Sequence, residues 1–74
     1  MPEVVIYSSR FCPYCIRARM LLESKNISFT EVRVDEQTEQ RSVMEQRSQR
    51  TSVPQIFIDD YHVGGCDDLF ALES

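Results

Sequence analysis

Two cysteines stand where a strand-like run gives way to a helix-like one. Cys12-Pro13-Tyr14-Cys15 follows the apolar stretch Val4-Val5-Ile6-Tyr7 and precedes a segment with helical spacing of apolar residues. Pro13 suits the first helical position, where its missing N–H removes no hydrogen bond and its fixed φ is already helical. Cys12 then lies at the open end of the helix, where unpaired N–H groups and the helix dipole favour an anion. In such motifs the cysteine pKa falls from about 8.5 to between about 3.5 and 7.5, and the thiolate is the species that attacks disulfides. Cys12 is the expected nucleophile. Cys15, one turn further on, is the expected resolving partner that closes a small ring with it.

A lone Cys-x-x-Cys is also half of a zinc site. Zinc usually takes four ligands, and beyond the pair only His62 and Cys66 remain as candidates. Their His-x-x-x-Cys spacing is no familiar partner for the first pair, so redox chemistry is preferred and no metal ligands are assigned. His62, within a hairpin, is expected at the surface with no catalytic role.

The 74 residues fit one small domain, 1–74, of a size at which a core yields only about 3 to 5 kcal/mol. An odd count of three cysteines argues against a disulfide-stapled secreted scaffold and for a reducing compartment, with the cytoplasm as the expectation. The first residues carry no basic region, and their apolar run is too short for a signal peptide or a membrane span. Net charge is -4, unevenly spread: residues 1–34 hold five Lys/Arg and three Asp/Glu, residues 35–74 three and nine. Arg10, Arg17, Arg19 and Lys25 place positive charge around the cysteine pair, although Arg19 and Lys25 read better as a solvated helix face. No basic stripe interleaved with aromatics points to nucleic acid.

Val4–Tyr7 reads as a strand buried on both faces. Residues 13 to about 25 read as a helix carrying Ile16, Met20, Leu21 and Leu22, with Asn26 suited to a left-handed cap. From Ile27 to Val34 the residues favour a strand, but the alternation slips between Phe29 and Val32, which implies a bulge or burial on both faces. Asp35 to Ser48 reads as a surface helix anchored by Val43 and Met44. Gln55–Ile58 and Tyr61–Val63 flank the turn residues Asp59-Asp60, the pattern of a hairpin. Gly64-Gly65 allows a sharp turn, and Asp67 is the expected N-cap of a helix carrying Leu69, Phe70 and Leu72. The order is β-α-β-α-β-β-α. A right-handed crossover followed by an antiparallel hairpin gives an α/β fold with a mixed four-stranded sheet and helices on both faces. Beside a βαβ unit, Cys-x-x-Cys reads as a thioredoxin-like redox motif.

Three stretches, Cys12-Pro13-Tyr14-Cys15, Thr51-Ser52-Val53-Pro54-Gln55-Ile56-Phe57-Ile58 and Gly64-Gly65-Cys66-Asp67-Asp68-Leu69, resemble the glutaredoxin family in its bacterial dithiol form, in order and spacing, over essentially the whole chain. The resemblance implies a thioredoxin fold with Pro54 cis. It implies glutathione as co-substrate, with no tightly bound cofactor. The cysteinyl backbone of glutathione would pair with Val53 like an added strand, with Thr51 and Tyr14 lining the same groove. The γ-glutamyl carboxylate would rest on the N–H groups of Cys66 and Asp67, and the Asp67 side chain would meet the ligand's ammonium. For its sulfur, Cys66 reads as a small buried hydrophobe.

Two departures stand out. Many relatives carry lysine three residues before the first active cysteine; here Ser9 stands there, and Arg10 is the candidate to hold the glycyl carboxylate in its place. Relatives also commonly extend the last helix beyond the position of Ser74, so a shortened helix would leave Phe70 and Leu72 poorly covered. The implied activity is reduction of protein disulfides and glutathione mixed disulfides by a monomer. Its partners would be glutathionylated or disulfide-bearing proteins, ribonucleotide reductase among them. Three rivals remain: a redoxin reduced by thioredoxin reductase, an iron-sulfur module shared by two copies, which the stiff Pro13 disfavours, and a copper or zinc chaperone, which would want a more flexible loop.

Overall fold

The sheet grows outward from β1 (Val4–Ser8), whose alternate side chains feed two separate cores. In the computed structural model, which describes residues 2–73, α1 spans Pro13–Ser24, β2 Thr30–Arg33, α2 Glu39–Ser48, β3 Gln55–Ile58, β4 Tyr61–Gly64 and α3 Cys66–Glu73. The strand order is β2-β1-β3-β4, with β1 parallel to β2 and antiparallel to β3, and β3 antiparallel to β4. Val4 and Ile6 pack with Ala18, Leu22, Ile56, Cys66 and Leu69 beneath α1 and α3. Tyr7 faces the other way, onto Val34, Met44 and Phe57 beneath α2. Helices therefore cover both faces of a mixed sheet in the order βαβαββα, a thioredoxin-like fold.

The end of α1 follows from its sequence. Asn26 adopts φ 57°, and its N–H donates to the Glu23 carbonyl at 3.0 Å while Ile27 N–H donates to Leu22 O at 3.0 Å. That is a Schellman cap, closed by Ile27 packing onto the cluster that holds Leu22.

The helix's buried stripe differs from the expected one. Cys15, Ala18 and Leu22 point inward, whereas Ile16 and Met20 are 41 and 61% exposed. The inward face thus carries Cys15, Ala18 and Leu22, and Ile16 and Met20 lie off it.

The slipped alternation before β2 resolves as burial on both faces. Ile27 and Phe29 join the core under α1 and α3, while Val32 and Val34 join the core under α2. The β1–β2 register runs without interruption from Val5↔Thr30 to Ser8↔Arg33, and the sheet's irregularity lies instead between Ile56 and Phe57 opposite β4. The strand is also shorter than expected, beginning at Thr30.

Residues 35–38 form turns before α2, which ends at Gln49 in the left-handed conformation, φ 59°, with its N–H on Glu45 O at 2.9 Å. α3 begins at Cys66, so Asp67 lies in the first turn rather than at the cap. Asp68 supplies the cap instead, accepting the Gly65 N–H at 2.9 Å, the backward half of a capping box. Phe70 and Leu72 are exposed; Met1 and Ser74, with the expectation about the helix end there, lie outside the described residues. No helix among those residues is long and apolar enough to cross a membrane.

Candidate active site

Cys12 is the N-cap of α1, with extended φ and ψ of -110° and 108°. Its sulfur accepts the Cys15 backbone N–H at 3.3 Å. This is the unpaired helix-end donor expected from the sequence, aimed at a sulfur that must carry negative charge to react. The same sulfur lies 3.9 Å from the Val53 carbonyl, to which its S–H donates. Val53–Pro54 is a cis bond.

The two thiols differ in access. Cys12 is partly exposed and Cys15 is buried, and both are free. Burial, reinforced by the hydrogen bond to Cys12, pushes the Cys15 thiol up to about 12, against opposing contributions from the Ser9 backbone and the Arg19 charge. An incoming disulfide therefore meets Cys12 first. The Cys15 sulfur is buried behind it.

Five of the expected contact residues, Tyr14, Val53, Pro54, Cys66 and Asp67, line one groove of about 190 Å³. The Cys66 sulfur is buried, and its thiol is pushed up chiefly by that burial. This fits the reading of its sulfur as a small apolar group.

Arg10 and Thr51 are not brought to the groove. Arg10 pairs with Glu36 at 3.1 Å, and its N–H donates to Asp35 Oδ2 at 3.0 Å. Thr51 presents its carbonyl to Arg41 Nη1 at 3.0 Å.

Sequence reasoning missed Arg50 and Gln55, which also line the groove. Arg50 Nη1 lies 3.4 Å from Asp68 Oδ2, and the Gly65 N–H followed by Arg50 holds the Asp68 carboxyl below the usual range. Gln55 is buried, with Nε2 on Ser52 O at 3.0 Å and Oε1 2.7 Å from His62 Nε2. A buried glutamine in a strand otherwise made of Ile and Phe was the one available signal. His62, expected at the surface, is part-buried and stacks on Phe57 with centroids 4.8 Å apart. Burial and then the Arg50 charge press its pKa below the ordinary imidazole value. Among the described residues, no three His, Cys, Asp or Glu side chains gather as a metal-ligand set.

The glutaredoxin family pattern matches residues 4–63. The chain is similar to glutaredoxin 3 of Escherichia coli K12, 54% identical over all of this chain and 89% of that protein. It is also similar to a glutaredoxin of Pseudomonas aeruginosa, 52% identical over 99% of this chain and 87% of that one. Among solved structures, glutaredoxin from Brucella melitensis superposes with a TM-score of 0.83 at 51% identity, covering 99% of this chain and 79% of the other. The asymmetric cysteine pair therefore sits in the frame that these relatives share: the chain belongs to the glutaredoxin family, and its activity is that of a thiol–disulfide oxidoreductase.

Proposed function

We propose that this chain uses glutathione to reduce protein disulfides and glutathione mixed disulfides. The observation that carries the reading is the accessible Cys12 sulfur, served by the Cys15 N–H at 3.3 Å and lying 3.9 Å from Val53 O. A cysteinyl residue bonded to Cys12 is thereby within reach of the Val53 backbone, which offers it strand-like pairing. At the far end of the groove, the first N–H groups of α3, at Cys66 and Asp67, suit a γ-glutamyl carboxylate, and the Asp67 carboxylate suits the neighbouring ammonium. Tyr14 and Pro54 supply apolar walls.

In the reaction, the Cys12 thiolate attacks one sulfur of the substrate disulfide, and the other sulfur leaves as a thiolate that takes a proton from solvent. With a glutathione adduct on Cys12, a second glutathione thiolate attacks the adduct, releasing glutathione disulfide and the Cys12 thiolate. With a protein adduct, Cys15 loses its proton and attacks the Cys12 sulfur, freeing the reduced protein and leaving a Cys12–Cys15 disulfide that two glutathiones reduce. Reductases oxidised by their own turnover, ribonucleotide reductase among them, and glutathionylated proteins of the cytoplasm are the proposed clients.

The test is a glutathione-coupled assay on a small glutathione mixed disulfide and on a protein disulfide. Cys12→Ser abolishes both activities, and Cys15→Ser keeps the first and loses the second. Equal loss in both variants, or a wild-type disulfide that glutathione does not reduce, overturns the reading.

A further inference from the structure

Phe11, beside the nucleophile, is 87% exposed, more than any other large apolar side chain among the described residues. Its ring is braced: the Arg10 guanidinium carbon lies 5.9 Å from the ring centroid, and Arg10 is itself held by Glu36 and by its N–H to Asp35. Those acids follow β2, at one edge of the sheet, whereas the groove is built from the approach to β3 and the start of α3, toward the other edge. Cys12, leaving the central strand β1, stands between them. Phe11 does not line the groove.

We propose that Phe11 is a specificity-determining residue, receiving the apolar or aromatic side chain that flanks a disulfide cysteine in a polypeptide substrate. The inference rests on the proposed function only in taking Cys12 as the attacking sulfur. When the Cys12 thiolate attacks, the substrate's S–S bond breaks, a Cys12–substrate disulfide forms and the second substrate sulfur leaves as a thiolate. The new bond holds the substrate cysteine against Cys12, so that residue's chain neighbours, each about 3.8 Å away between Cα atoms, come beside Cys12's own neighbour, Phe11. Removing the exposed ring from water then favours an apolar neighbour. Charge contributes little to the choice there, because Arg10 is already matched by Glu36.

The test uses single-turnover reduction of two synthetic peptide disulfides, identical except for Phe or Ser beside each cysteine, by the pre-reduced protein without glutathione. Wild type reduces the Phe peptide about tenfold faster than the Ser peptide. Phe11→Ser removes that preference, Phe11→Leu keeps most of it, and turnover of a small glutathione mixed disulfide by Phe11→Ser stays within about twofold of wild type, since one exposed side chain outside the groove has changed. Equal rates for the two peptides with wild type, or an undiminished preference in Phe11→Ser, overturns the proposal. So does sedimentation showing a wild-type dimer that Phe11→Ser dissolves, because the ring would then be a contact between copies. Failure of the glutathione assay alone counts against the proposed co-substrate and leaves the peptide comparison to decide Phe11.

Discussion

The main chain of Cys15 donates to the Cys12 sulfur over 3.3 Å while the Cys15 thiol itself is withdrawn from solvent. One residue thus supports the nucleophile and hides its own reactive atom. With its thiol pushed up to about 12, Cys15 keeps its proton at pH 7.5. In Cys15→Ser, which keeps the N–H donor, iodoacetamide reacts at Cys12 at least about 100-fold faster at pH 7.5 than it reacts with either sulfur left in Cys12→Ser. Comparable alkylation rates in the two variants would show that burial does not separate the two thiols.

Cys15 also sets an alkaline limit to stability. Its thiol moves from an ordinary 9.0 to about 12 in the fold. Below pH 9 the folded and unfolded chains both keep this proton, and the full stability is present. As pH rises above 9 the unfolded chain releases the proton and the folded chain retains it, so stability falls by up to about 1.4 kcal/mol per pH unit. Urea midpoints under reducing conditions between pH 8 and 10.5 decline more steeply for wild type than for Cys15→Ala. Parallel declines would assign the alkaline loss to other groups.

What could be read from the sequence was local. The cysteine pair, the Asn26 cap and the Asp59-Asp60 hairpin each depend on a few adjacent residues, and each appears where the sequence places it. Inward and outward on α1 depends on how the helix is rotated about its axis against the sheet, which puts Cys15, Ala18 and Leu22 on the buried face and Ile16 and Met20 off it. The groove's Arg50–Asp68 contact joins residues from two distant stretches, and nothing in either stretch names its partner. Arg10 has the charge to meet a carboxylate, and Glu36, brought alongside by the β1–β2 pairing, takes its guanidinium while Asp35 accepts its backbone N–H. At the start of α3 the acid that faces the Gly65 N–H is Asp68 rather than the expected Asp67, because the helix begins at Cys66.

Gly64 has φ +119°, and a Cβ there would overlap the Asp68 carboxylate. That carboxylate both caps α3 through Gly65 and faces Arg50. Gly64→Ala therefore adds backbone strain to a displaced cap and costs about 2 kcal/mol or more. Asp68→Ala alone removes the side chain that holds the Gly65 N–H and also lowers stability. Because the second change deletes the carboxylate that the added methyl would overlap most, leaving only Asp68 Cβ at 2.9 Å, the double variant is less destabilised than the sum of the two. Thermal or urea melts of the four proteins measure this. Strict additivity would mean that the strain at Gly64 is independent of Asp68.

Glu31 on β2 gathers the Ser8 hydroxyl at 2.6 Å, the Arg19 guanidinium, and Arg33 Nε at 3.5 Å. Burial by itself raises its carboxyl, but the hydrogen bonds from Ser8 and Arg19 and the two arginine charges outweigh that and hold it below the ordinary glutamate value. A depressed carboxyl contributes stability that is present above the unfolded value, near 4.3, and is lost as pH falls through the folded one. Both Glu31 and Arg19 are about one-fifth exposed, between the surface and buried limits for ion pairs, so Glu31→Gln costs about 1 to 2 kcal/mol at pH 7. In urea titrations at descending pH, the gap between wild type and Glu31→Gln narrows as the wild-type carboxyl takes up its proton, at a lower pH than an ordinary glutamate does. A gap that persists at full size in acid would place the loss in packing rather than in the charge that joins α1 to the edge strand.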